Sequence, residues 1–202
     1  MKLLFLILFP VLSSYAKSFV PASFSANYEE SLTSATGRVK KSFGKVDYQY
    51  PGHLRFEVTS PVPSLFVVNP DKTWFYQPAF VEGEKDQVTI QRSSNLPLIK
   101  FLDSVKDGPT ESKLFKTRYE KNEMILTFQK EAQKEMGLEE VILHSSSDAK
   151  NIKELKGFEN LTLKHTNKNK TSIRLIDFKE QVNFSSQHFI FTPSANTKII
   201  SN

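Results

Sequence analysis

Residues 51–78, PGHLRFEVTSPVPSLFVVNPDKTWFYQP, decide how this chain is read. Leu54, Phe56 and Val58 alternate with Arg55, Glu57 and Thr59, the two-residue period of a half-buried strand. Residues 64–68 and 73–76 repeat the β-branched and aromatic texture. The joints Pro51-Gly52 and Asn69-Pro70-Asp71-Lys72 carry turn chemistry, because proline presets φ and Asn and Asp side chains bond their own backbone. Three consecutive antiparallel strands with one apolar face are therefore expected. Trp74, the single tryptophan, falls in the third strand, and alternation leaves open whether Trp74 or Phe75 points to that face.

Outward from this stretch the texture stays extended. Phe24, Ala26 and Tyr28 share one face of an opening strand, and Val46, Tyr48 and Tyr50 share one face of the next, in which Gly44 marks a bulge or bend. Residues 87–91 read as a further strand. Asn95 caps a helix over residues 96–106 that Gly108-Pro109 stops, with Leu98, Ile99, Phe101, Leu102 and Val105 on one apolar side. The remainder predicts strands at 114–121, 123–129, 139–144, about 153–158, 160–165, 171–178 and 188–192, then a tail from Ser194. Residues 129–136 and 148–156 contain good helix formers, and the strand spacing around them favours long hairpins with at most one helical turn in each loop.

The first sixteen residues have the layout of a cleaved secretory signal. Met1-Lys2 precedes an apolar run from Leu3 to Leu12 and a small-x-small site, Ser14-Tyr15-Ala16. The run is well short of the ~20 residues a spanning helix requires. Cleavage after Ala16 leaves residues 17–202 as a single domain. Cysteine is absent, which removes disulfides, thiolate metal sites and an acylated N-terminal cysteine, and suits a bacterial periplasm.

The formal net charge is only +5, and Lys and Glu alternate locally as on a solvated face, so no nucleic-acid partner is expected. His53, His144, His165 and His188 are scattered without ligand spacing, and no nucleophile elbow, phosphate loop or dinucleotide fingerprint is present. Neither a metal, a cofactor nor enzymatic activity is expected. Seventeen phenylalanines on alternating strands supply instead a wide apolar sheet face, which is either a plain core or, under a loosely packed helix, a pocket for something greasy.

The order Pro51-Gly52-x-Leu54-Arg55-Phe56-Glu57, a proline-containing turn, Leu65-Phe66-Val67-Val68, Asp71-Lys72-Thr73-Trp74-Phe75-Tyr76-x-Pro78 and a closing Phe189-Ile190-Phe191-Thr192-Pro193 resembles the periplasmic outer-membrane lipoprotein carrier family (LolA-type). The likeness extends over about residues 23–193. It implies a mainly β fold, an incomplete, strongly curved antiparallel half-barrel with a short helical lid, acting as a monomeric periplasmic carrier that shields lipoprotein acyl chains between the inner and outer membranes. The candidate cavity lining is Phe24, Val46, Tyr48, Leu54, Phe56, Phe66, Val68, Trp74 and Tyr76, and the candidate lid residues are Leu98, Ile99, Leu102 and Val105. Implied partners are acylated lipoproteins as cargo, an inner-membrane lipoprotein-releasing ABC transporter that loads them, and an outer-membrane acceptor.

Two features depart from the family pattern. Only about five residues lie between the expected cleavage site and the first strand, too few for the family's amphipathic helix. Tyr50 precedes Pro51 where the family commonly has an arginine implicated in release. These departures keep a second reading open, a carrier or sensor of another amphiphile such as a glycolipid or phospholipid. A non-lipid envelope interaction module remains the reading of a different class.

Overall fold

The computed structural model describes residues 18–92 and 97–201. The expected signal segment and the helix cap at Asn95 lie outside the described residues. The elements are β1 (Ser23–Thr33), β2 (Val39–Gln49), β3 (His53–Ser60), β4 (Ser64–Val68), β5 (Lys72–Gln77), β6 (Gln87–Arg92), α1 (Pro97–Ser104), β7 (Phe115–Glu120), β8 (Glu123–Phe128), α2 (Lys130–Met136), β9 (Leu138–His144), β10 (Asn160–His165), β11 (Lys170–Glu180) and β12 (Lys198–Ser201).

All twelve strands form one sheet in the order β12-β6-β5-β4-β3-β2-β1-β11-β10-β9-β8-β7. Neighbours are antiparallel except β12, which runs parallel to β6. The terminal strands β12 and β7 do not pair, so the sheet stays open, as a half-barrel requires. Gly44 sits where β2 shifts register against β3, and β11 shifts against β1 near Asp177, whose φ is 53°. Such bulges bend and twist the strands that carry them.

One side of the sheet carries α1, α2 and the segment 18–22. Phe24, Tyr48, Leu54 and Val68 lie under Ile99, Phe101, Leu102 and Val105, and the core continues to Phe115, Leu126 and Phe128. Phe128 meets both Phe101 and Phe115 edge-on, with centroids 5.9 Å apart in each pair. Lys100 pairs with Glu135, joining the two helices. Among the described residues no helix precedes β1. Phe19 and Val20 fill a slot instead, with Val20 N–H bonded to Lys106 C=O and Phe19 C=O accepting from Leu155 N–H.

Four local expectations are corrected. Residues 153–158 are not a strand, because Asp148 accepts from Lys150 N–H and the chain closes two 3-10 turns, Ala149–Asn151 and Leu155–Gly157. Residues 130–136 make a two-turn helix rather than a hairpin loop, ended by Gly137 in the left-handed region at φ 65°. Residues 188–192 form no strand. They belong to a strap across the outer face, where His188 Nε2 and Asp47 Oδ2 lie 2.8 Å apart, Asn69 Nδ2 donates to Phe189 C=O, and Phe191 lies against Tyr76. The tail does pair, since Lys198 N–H bonds Asp86 C=O and starts β12.

Candidate functional site

Cross-strand register fixes which side chains share the helix-side face. Tyr48 stands opposite Leu54, Leu54 opposite Val68, and Val46, Phe56, Phe66 and Phe75 stand opposite one another in turn across β2 to β5. Of the nine candidate lining residues, Phe24, Val46, Tyr48, Leu54, Phe56, Phe66 and Val68 come together here. Ile99, Leu102 and Val105 cover part of them, and the side chain of Leu98 lies outside the described residues.

Trp74 and Tyr76 do not belong to this face. Trp74 pairs with Val67, and Tyr76 with Leu65, so both point to the outer side with Val88 and Phe191. Phe75 is the inward residue. The strap explains why alternation leaves the choice open: it covers the outer side of β4 to β6, so both faces carry apolar side chains and Leu65–Val68 reads as a continuous apolar run.

The helices do not cover the whole face. Along the row Val46, Phe56, Phe66, Phe75, exposure rises from 7% at Val46 to 38% at Phe75, with Phe56 and Phe66 half-buried. Tyr28 stacks on Phe56 at 4.3 Å and 17°. On the far side of β1 the same face continues through half-buried Leu175, Ile173, Leu161 and Leu163. The result is an apolar strip that runs from the covered core to an open rim. Tyr28, Phe75, Leu161, Leu163, Ile173 and Leu175 belong to this strip and are not among the candidate residues named from the sequence. Alternation in 171–176 marks Ile173 and Leu175, but the break at Asp177, which brings Phe178 back onto Phe24 at 4.8 Å, is not legible from spacing.

A side-chain hydrogen bond ties α1 to the sheet. Tyr48 Oη donates to Asp103 Oδ1 at 2.6 Å. Burial, then the bond to Asp103, push the Tyr48 phenol far above its ordinary range, so it stays a donor. Tyr48→Phe keeps the ring and removes this charge-assisted bond. An expected loss of about 2 kcal/mol should appear in denaturant unfolding, together with faster amide exchange in α1.

Polar groups return at the end of the face. Ser42 Oγ donates to Glu30 at 2.5 Å, and His165 Nε2 shares a hydrogen bond with Thr171 Oγ1 at 2.9 Å. Burial lowers the His165 pKa, partly opposed by Glu30. The fold therefore favours neutral imidazole, while the unfolded chain takes up a proton at the usual imidazole pKa. Stability is full above that pKa and declines as pH falls through and below it. His165→Gln should flatten this part of the stability profile.

The other histidines serve local contacts: His144 with Glu123 and Thr162, His53 with the Pro51 carbonyl, His188 with Asp47. Among the described residues no group of three or more potential ligands could hold a metal, and no helix is long and apolar enough to cross a membrane.

The family model for the outer membrane lipoprotein carrier protein LolA matches residues 21–192. The chain belongs to the LolA family. LolA-family proteins are periplasmic carriers of lipoproteins and are not enzymes. A curated relative, the outer-membrane lipoprotein carrier protein of Pseudoalteromonas translucida (strain TAC 125), is 36% identical over 75 residues, 37% of this chain and 34% of the relative. The match thus spans about a third of that relative's length. Solved structures similar to this LolA-family chain include a LolA superfamily protein from Nitrosomonas europaea, at TM-score 0.46 and 10% identity over 85% of this chain and 91% of that one. An uncharacterized conserved protein from Thermus thermophilus aligns at TM-score 0.49 and 9% identity over 90% and 91%.

Proposed function

We propose that this LolA-family chain is a soluble periplasmic carrier that holds the acyl chains of lipoproteins against its helix-side face on their way from the inner to the outer membrane. The supporting observation is the strip Val46–Phe56–Phe66–Phe75, dry at one end and open at the other. A closed core would bury Phe75 and leave no apolar surface for a guest.

The energetics call for such a face. A buried methylene contributes ~0.8 kcal/mol, so exposing two or three long acyl chains to water costs on the order of 20 to 35 kcal/mol. Exchange from bilayer to protein is nearly neutral by comparison, and direction is then set by affinity differences of about 1.4 kcal/mol per tenfold. In this reading the chain is exported with cleavage after Ala16, an inner-membrane ABC transporter loads the cargo, an outer-membrane acceptor removes it, and α1, held through Tyr48 and Asp103, yields during exchange.

Mass spectrometry of organic extracts of the protein purified from its own cells tests the proposal. Acylated protein is the expected content. Phospholipid or glycolipid alone would favour the second amphiphile, for which Tyr50 before Pro51 speaks, and the absence of any acyl species would overturn both.

A further inference from the structure

The charge of this chain is gathered at one end of the sheet. Residues 31–42 and 161–176 contain seven lysines and arginines and no Asp or Glu, against a net charge of +5 for the whole chain. The remainder is therefore slightly acidic. The two segments are far apart in sequence, yet their turns are bridged, Ala35 N–H donating to Asn169 Oδ1 at 3.0 Å. Thr166 N–H bonded to Gly137 C=O fixes the second turn beside the end of α2.

Three of the seven cations meet acids. Lys164 bonds Glu140, Lys168 bonds Glu139, and Arg174 lies 3.5 Å from Glu29. Glu30 is engaged by Ser42. Arg38, Lys40, Lys41 and Lys170 make no ion pair with a described residue, and all four are exposed. Val39, between Arg38 and Lys40, is 56% exposed. Lysines on the free edge of β2 beyond its pairing with β3 also discourage edge-to-edge association. That role does not explain Arg38 in the turn or Lys170 on the other hairpin.

We infer that these paired hairpin tips dock the protein on an anionic phospholipid surface. The segments themselves contain no Phe, Tyr or Trp, and Phe43, 42% exposed just beyond Ser42, is a single ring rather than the row of rings on which successive bases stack, so nucleic acid is disfavoured. Flexible cations around an exposed aliphatic side chain fit a diffuse layer of phosphates over hydrocarbon, which demands no shape match. Each cation near such a surface contributes about fivefold in partition. Glu30 sets its carboxylate beside them, so the net three raise it about a hundredfold at low salt, and the attraction fades as salt shortens the screening length. The inference does not depend on acyl cargo.

Cosedimentation of the chain lacking residues 1–16 with vesicles tests it, using phosphatidylcholine alone and an equal mixture with phosphatidylglycerol. Binding is expected only to the mixture, and it should fall with salt. R38E/K40E/K41E/K170E should abolish it. K72E/K85E/K113E/K116E, with the same change of net charge elsewhere, should retain most of it, both variants showing unchanged circular dichroism. Three results would overturn the inference: no binding by the parent protein, equal loss in the two variants, or binding to an acidic peptide or DNA at the same salt without binding to the vesicles.

Discussion

Gly44→Ala is expected to cost about 3 kcal/mol, the upper end of overpacking, far more than its single methyl suggests. A Cβ at Gly44 would fall deep inside contact distance of the Glu57 carbonyl oxygen, 2.7 Å from Tyr28 Oη and 2.8 Å from the Tyr28 ring. A side chain could rotate away, but the carbonyl belongs to β3 and can move only with its strand. Relief therefore means prying β2 from β3 at the bulge or expelling the Tyr28 ring from its stack on Phe56. A domain of this size should lose about 6 to 12 °C in midpoint, read by thermal unfolding. A shift below about 2 °C would show that the ring and bulge relax freely, and that the close packing of β1 on β2 is not what shapes this part of the sheet.

Phe75→Glu should leave the fold intact and weaken acyl binding at least about a hundredfold. Phe75 is 38% exposed, so the folded protein can hydrate a carboxylate there. A guest chain lying along Phe56 and Phe66 would strip that water, and desolvating an unpaired charge costs several kcal/mol. Titration with a labelled dipalmitoylglyceryl-cysteine peptide reads the loss. Phe80→Glu, at a 66% exposed position in the β5–β6 loop, is the matched control and should bind as the parent does. The label has to be on the ligand, because Trp74 faces the opposite side and will not report on the strip. Unchanged affinity in Phe75→Glu would remove the strip from the binding surface while leaving family membership untouched.

The strands are legible wherever one face is dry and the other wet. Phe24, Ala26 and Tyr28 in β1, and Leu54 and Phe56 in β3, alternate as two-residue periodicity requires, and the structure orients them accordingly. Legibility fails at Trp74 and Tyr76 because residues more than a hundred positions away cover the second face of β5, as Phe191 does at Tyr76. It fails again at residues 188–192, where Phe-Ile-Phe looks like a strand but Phe189 is buried in a strap. Apolar spacing records that a residue is covered, not by what. Residues 130–136 depart from expectation for a related reason: their helix formers and the following Gly137 spell a helix locally, and the strand spacing on either side outweighs them in the sequence reading. Helix α1 is legible as an amphipathic stretch, whereas its attachment through Tyr48 and Asp103, 55 positions apart, is not.

The two edge strands never meet, and this frees the molecule from a constraint that closed barrels obey. Strand number and stagger dictate the girth of a closed cylinder, whereas twelve strands left unjoined can tighten or relax their arc at little cost in ladder hydrogen bonds. Under the proposed carrier role, guests of unequal bulk, two tails or three, would then be met by a change of radius rather than of composition.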